Sequence, residues 1–352
     1  MTQIAEKVVS FFTALVMTVG GFFFPELNGQ IYIVGEDHAN TITMAKELEM
    51  WGECYDKGMR DLFVEYSYYM AEYLNLWMDA PDDAILTEVF QDLEGTMAAS
   101  PSVWDFLQTI KAEYPETVFH GTDIGHQYNT MGARYLSYLE QTGQKDTEAY
   151  QLTLENIEQG RSYYEDHGGS YAYREPLMAQ NFQRAYDALP AGTSVMGIYG
   201  AYHTVPGGLD PEGVGPNMVS RLQEVYGERL HATDLTAFTE DASRVGETQT
   251  VTINGQTFTA VLLAAYTRPT GEGYTYWHVP GAYEAAKDLP LNGWYTPLYN
   301  IPGGAPVGEV YIIDTTGPDG ATRRFYRNDG MFYYDVAGAT GFLPEAAAQP
   351  AA

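Results

Sequence analysis

Within its first 235 residues the chain repeats one local pattern: a short run of β-branched and aromatic residues, a turn carrying an acid or a histidine, then a helical stretch. Residues 30–34 (Gln-Ile-Tyr-Ile-Val) run into Gly35-Glu36-Asp37-His38 and then a helical apolar spacing through Leu48 and Trp51. Residues 61–65 (Asp-Leu-Phe-Val-Glu) precede a helical pattern through Met70, Leu74 and Trp77. Residues 117–120 end in Gly121-Thr122-Asp123, residues 194–198 end in Gly200-Ala201-Tyr202-His203, and residues 230–235 are a fifth candidate strand. Helical segments over 102–113, 128–141 and a tyrosine-rich 149–189 lie between them. Short apolar runs with little alternation suit strands buried on both faces. Strands that alternate with helices pair in parallel, because the crossover helix returns the chain to the same end of the sheet. The expected fold class is therefore α/β, a mainly parallel central sheet flanked by helices.

From about residue 245 the texture changes. Residues 250–253 and 256–263 flank Asn254-Gly255, a pair suited to a type I′ turn, and residues 309–314 and 323–327 flank Gly317-Pro318-Asp319-Gly320. These signals predict a C-terminal antiparallel β-rich appendage. The expected organisation is a hydrophobic leader over 1–28, an α/β catalytic-type domain over 29–244, a β-rich domain over 245–345 and a small-residue tail over 346–352. The apolar run at residues 8–24 reads either as a packed helix or as a signal-like segment. The first reading places the protein in the cytoplasm. The second exports it or tethers it to a membrane through that segment, its only expected membrane contact.

Acids outnumber bases 47 to 18, for a formal net charge of −29 in 352 residues. A phosphate backbone is repelled by such a field, so nucleic acid is not an expected partner, whereas cations are attracted. The single cysteine, Cys54, excludes an internal disulfide and a cysteine-built zinc site, and its helical surroundings point to a buried thiol. No Gly-x-Ser-x-Gly elbow, phosphate-binding loop or Gly-x-Gly-x-x-Gly fingerprint is present.

Ligands of open α/β sheets bind beyond the carboxyl ends of the strands. Here those ends carry Glu36 and His38, then Glu65, then Asp123 and His126, then His203, with Gly35, Gly121 and Gly200 beside three of them. An acid or histidine at one such end is common in polar loops; recurrence at four ends is the signal. Carboxylates around a histidine suit acid–base work on water. Glu36, His38, Glu65 and His203 also form a plausible ligand set for manganese, zinc or iron, though without the His-x-x-x-His spacing of a zincin. Tyr66, Tyr68, Tyr69 and Tyr73 could wall a pocket, although helix packing is the commoner use of such residues. His120, His167, His231 and His278 read as structural. Arg174-Glu175 by itself reads as a surface charge pair.

Taken in order, Gly35-Glu36-Asp37-His38, Glu65, Gly121-Thr122-Asp123, Arg174-Glu175-Pro176-Leu177-Met178-Ala179-Gln180-Asn181 and Gly200-Ala201-Tyr202-His203 resemble the motif set of the erythromycin esterase-like and ChaN-like superfamily, which also includes TIKI and TraB proteins. The resemblance covers about residues 30–235. It implies hydrolase chemistry with His38 as the base that activates water, and it brings Arg174 into the site. Its peptidase branch implies a divalent metal, and its ChaN branch implies haem or iron binding without hydrolysis. The first motif is one residue shorter than the esterase Gly-Glu-x-x-His, which is closer to ChaN-like members and puts macrolide hydrolysis in doubt. The expected site is thus Glu36, His38, Glu65, Asp123, Arg174 and His203, acting on a small-molecule ester or amide.

Overall fold

The computed structural model describes residues 27–317, 320–333 and 336–345. Nearly all of the expected leader, all of the expected tail, and the turn residues Pro318 and Asp319 lie outside the described residues. Among the described residues no helix is long and apolar enough to cross a membrane. The chain divides into two compact units, residues 1–236 and 237–352.

The first unit holds five strands: β1 (Ile31–Glu36), β2 (Asp61–Ser67), β3 (Val118–Asp123), β4 (Val195–Gly200) and β5 (Leu230–Asp234). They pair in the order β3-β2-β4-β1-β5, every pair parallel. The period-two geometry of a strand sends alternate residues to opposite faces. Tyr32, Val34, Leu62 and Val64 face one way, into a core with Met44, Trp51 and Cys54 of α1 (Thr41–Asp56), Leu74 and Trp77 of α2 (Tyr68–Met78), Leu86 of α3 (Ala84–Asp92) and Leu107 of α4 (Pro101–Glu113). Ile31, Ile33, Phe63 and Val195 face the other way. After α5 (Ala133–Gln141) and α6 (Glu148–Glu165) the chain reaches α7 (Tyr171–Asp187) and α8 (Met218–Tyr226). Met178 and Phe182 of α7, with Val219 and Leu222 of α8, close that second face. The tyrosine-rich stretch over 149–189 is two helices, α6 and α7, broken at Gly168 and Gly169, both at positive φ. Cys54 is fully buried.

Strand β2 departs from regular pairing at a place that matters. Val64 pairs with Gly121 and Ser67 with Asp123, so Glu65 and Tyr66 oppose Thr122 alone. This two-against-one count is a β-bulge, which bends the strand and re-aims its side chains.

The second unit is an eight-stranded sheet, antiparallel in every pair. Its strands are β6 (Thr239–Glu240), β7 (Thr248–Ile253), β8 (Gln256–Thr267), β9 (Gly273–His278), β10 (Leu291–Pro297), β11 (Val310–Gly317), β12 (Gly320–Tyr333) and β13 (Val336–Phe342). Ile253 pairs with Gln256 across Asn254 and Gly255, whose φ values of 50° and 72° are those of the type I′ turn the sequence calls for. Thr239 and Glu240 pair with Thr267 and Tyr266. Strand pairing therefore assigns residues 239–240, which the sequence reading left in the α/β domain, to the β sheet.

Candidate functional site

Glu36, Glu65, Asp123 and Gly200 sit at or next to the carboxyl ends of β1, β2, β3 and β4, four adjacent strands. Parallel pairing puts all four ends on one edge, so the expected residues meet there. Glu36, His38, Glu65, Asp123 and Arg174 line, with neighbours, a cavity of about 310 Å³, at the lower end of the range for small-ligand pockets.

Arg174, on the first turn of α7, joins two strand ends. Its Nε donates to Asp123 Oδ1 at 2.9 Å, and its second guanidinium nitrogen to Asp123 Oδ2 at 2.5 Å and to Glu65 Oε1 at 2.6 Å. Asp123 also accepts from the Ile124 N–H at 2.7 Å and from His126 Nε2 at 3.1 Å. Glu65 Oε2 accepts the Gly200 N–H at 2.5 Å. Burial by itself raises both carboxyls. The charges of Arg174 and His126 override it for Asp123, those of His203 and Arg174 for Glu65, and both end well below the usual carboxylate range. The surface pair expected from Arg174-Glu175 alone is not found: both side chains are buried, and each makes its contacts separately.

Glu175, fully buried, accepts from His203 Nδ1 at 2.6 Å and from the Met218 N–H at 2.6 Å. His203 Nε2 lies 3.3 Å from Glu65 Oε1. Burial opposes the charge on His203, but Glu65 and Glu175 outweigh it and push the imidazole up to about 10. Its two ring nitrogens thus face two carboxylates, Glu175 and Glu65.

His38 is different. It is half exposed; Nδ1 donates a short hydrogen bond to Glu36 Oε1, and Nε2 lies 3.8 Å from Glu65 Oε1. The Glu36 hydrogen bond, against burial and helped by the charge of Glu65, pushes it up to about 9. Glu36 is itself raised, by burial first. Gly200 makes room for this ring: a Cβ there would lie 3.0 Å from His38 Cε1 and 3.2 Å from Glu65 Oε2. Gly35 and Gly121 likewise admit neighbours, Thr204 and the Ser67 carbonyl. The three glycines serve close packing of protein on protein; none has positive φ. Positive φ falls instead on Ala39 and Gln127, each immediately after a pocket histidine.

Glu36, His38 and Glu65 each present one ligand atom within 4.8 Å of the others. The donor set nevertheless does not fit a resident divalent ion. Both Glu65 oxygens are already taken, one by a buried guanidinium that a metal would face at close range, and His203 is doubly engaged.

Of the tyrosines after Glu65, Tyr66 lines the cavity, Tyr69 and Tyr73 pack in a core with Tyr135, and Tyr68 lines a smaller cavity near His120. His120 bonds Asp61 at 2.8 Å, His167 stacks on Tyr173, His231 on Tyr32, and His278 on Tyr311. Sequence reasoning missed Tyr164, whose hydroxyl meets His126 Nδ1 at 2.6 Å, and Glu47, a buried acid of the cavity wall. Glu47 was findable: it shares a helical stripe with Met44, Trp51 and Cys54, where an acid is out of place.

The fold and site together define an α/β protein with a carboxylate–histidine–arginine cluster at the carboxyl edge of a parallel sheet. No family model and no curated protein matches the chain. Three solved structures are similar at low level. An erythromycin esterase variant in its open conformation has 14% identity and TM-score 0.43, over 64% of this chain and 74% of that one. A succinoglycan biosynthesis protein has 11% identity and TM-score 0.43, over 67% and 71%. A Bacillus cereus protein has 14% identity and TM-score 0.38 over 59% of this chain, which spans 66% of that protein's length. The functional reading therefore rests on the residues.

Proposed function

We propose that the α/β unit is a hydrolase in which His38 takes a proton from the water that attacks an ester or amide carbonyl. The observation that carries this reading is the Glu36–His38 pair: Nδ1 is fixed by a carboxylate, and the half-exposed ring borders a cavity built on apolar walls. A carboxylate on one ring nitrogen sets the tautomer, so the other nitrogen faces the reacting water. Arg174, Asp123, Glu65 and His203 hold one another in place and so hold Glu65 beside His38. Glu65 and Glu36 stabilise the imidazolium that forms when His38 accepts the proton. The same pair makes the free enzyme's base strong but mostly protonated at neutral pH, so activity rises toward pH 9.

No step runs through a metal or a haem. The test is a panel of generic ester and peptide substrates, with and without a chelator, on the wild type and His38→Ala. Hydrolysis is expected to fall by a factor of about 100 or more in the variant. Activity that survives the substitution removes His38 from the mechanism.

A further inference from the structure

The wall of the cavity carries a carboxyl that the proposed chemistry does not use. Glu47 lies on α1 and is 2% exposed, yet its Oε1 has no hydrogen-bond partner. A buried polar atom left unpaired costs stability, and a carboxyl costs more than most. Its neighbours on the same helix stripe, Met44 and Trp51, show that an apolar side chain would serve the core there. The side chain instead borders the cavity, whose other lining includes Met44, Val64, Met70, Leu93, Val103 and Phe106.

We infer that this cavity takes an apolar ligand carrying a protonated amine, with the ammonium seated against Glu47. Among the described residues that line the cavity, the sole guanidinium or ammonium is that of Arg174, which is engaged by Asp123 and Glu65. The charge of His38, the other cation of the wall, acts on Glu47 but does not overcome its burial, and Glu47 Oε1 stays without a hydrogen-bond partner. Glu36 lies close enough for its charge to oppose ionisation of Glu47, and burial with that charge pushes the carboxyl up to about 8. An incoming cation relieves both effects at once, which a neutral ligand cannot do. The rings of Tyr66, Phe106 and Tyr164 border the same space, and aromatic rings attract cations. A net charge of −29 draws cations toward the protein from solution.

That this ligand is a substrate rests on the hydrolase reading; that it binds does not. Titration calorimetry of the full chain at pH 7 with 3-phenylpropylamine and its neutral isostere 3-phenylpropanol separates the two. The wild type is expected to bind the amine at least tenfold more tightly than the alcohol. Glu47→Gln should bring the two affinities within about twofold. Glu47→Leu, which completes an apolar wall and guards against a misfolded glutamine variant, should bind the alcohol as well as the wild type does and lose the amine preference. His38→Ala should keep the preference even where it abolishes hydrolysis. Equal affinities in the wild type, no binding of either probe, or a preference that persists in Glu47→Gln would each overturn the inference. Hydrolysis by His38 could stand in all of those cases.

Discussion

Replacing Arg174 with methionine removes one cation from between two buried carboxylates. Asp123 is 1% exposed and Glu65 9%, so neither can turn to water when the guanidinium goes. Breaking a buried ion pair by deleting one partner costs about 3–5 kcal/mol, because the other charge is left stranded. Each carboxylate keeps an imidazole and a backbone N–H, His126 and Ile124 for Asp123 and His203 and Gly200 for Glu65, which puts this variant at the lower end, against a total stability of about 5–15 kcal/mol for a typical domain. The pH dependence should also reverse. In the wild type both carboxyls are held below their ordinary values of 3.8 and 4.5, so their stabilisation is complete above those values and is lost as pH falls below them. Between pH 7 and 5 the wild type should therefore be flat with respect to these groups. Without Arg174, Asp123 loses the largest charge that opposes its burial and its carboxyl should rise, so the variant should gain stability as pH falls from 7 to 5. Urea unfolding gives the free energies. Hydrogen exchange on peptides covering β2 and β3 assigns the transition to the α/β unit. A loss under about 1 kcal/mol, or a variant as flat as the wild type between pH 7 and 5, would refute the claim that this cluster is electrostatically closed around Arg174.

The other expectations are more local. If His38 is the base, kcat/KM should rise about tenfold per pH unit below its shifted value of about 9 and level off above it, as a pH–rate profile on a neutral ester will show. Gly200→Ala places a methyl 3.0 Å from His38 and 3.2 Å from Glu65; it should cut activity by about tenfold or more while unfolding moves by less than about 1 kcal/mol, read by kinetics and urea melts together. Gly160→Ala would normally stabilise a helix by up to about 1 kcal/mol. Here the new Cβ would meet the Gly125 carbonyl at 1.8 Å, so a loss of about 1–3 kcal/mol is expected in the same melts. Glu47→Leu should raise stability by about 1–3 kcal/mol, because it removes an unpaired buried carboxyl; a lower melting temperature would count against the strain assigned to Glu47.

Periodicity and local chemistry carried a large part of this protein in the sequence itself. The five apolar runs before residue 236 are the five strands, since a strand buried on both faces has few alternatives to a short β-branched stretch. Asn254-Gly255 settled its hairpin turn through the positive φ both residues tolerate. Parallel pairing then brought Glu36, Glu65, Asp123 and Gly200 to one edge, because strands that run the same way end on the same side. Tertiary structure alone decided what each residue does at that edge. The bulge on β2 arises from pairing with β3 and has no signature in Glu65-Tyr66. Arg174 and Glu175, neighbours in sequence and a plain surface pair on local reading, are buried and divided between Asp123 with Glu65 on one side and His203 on the other. Those partners are 28 to 109 residues away in the chain. Which oxygens are filled, and which carboxyl is left unpaired, depends on distances between such remote groups, and no local pattern encodes them.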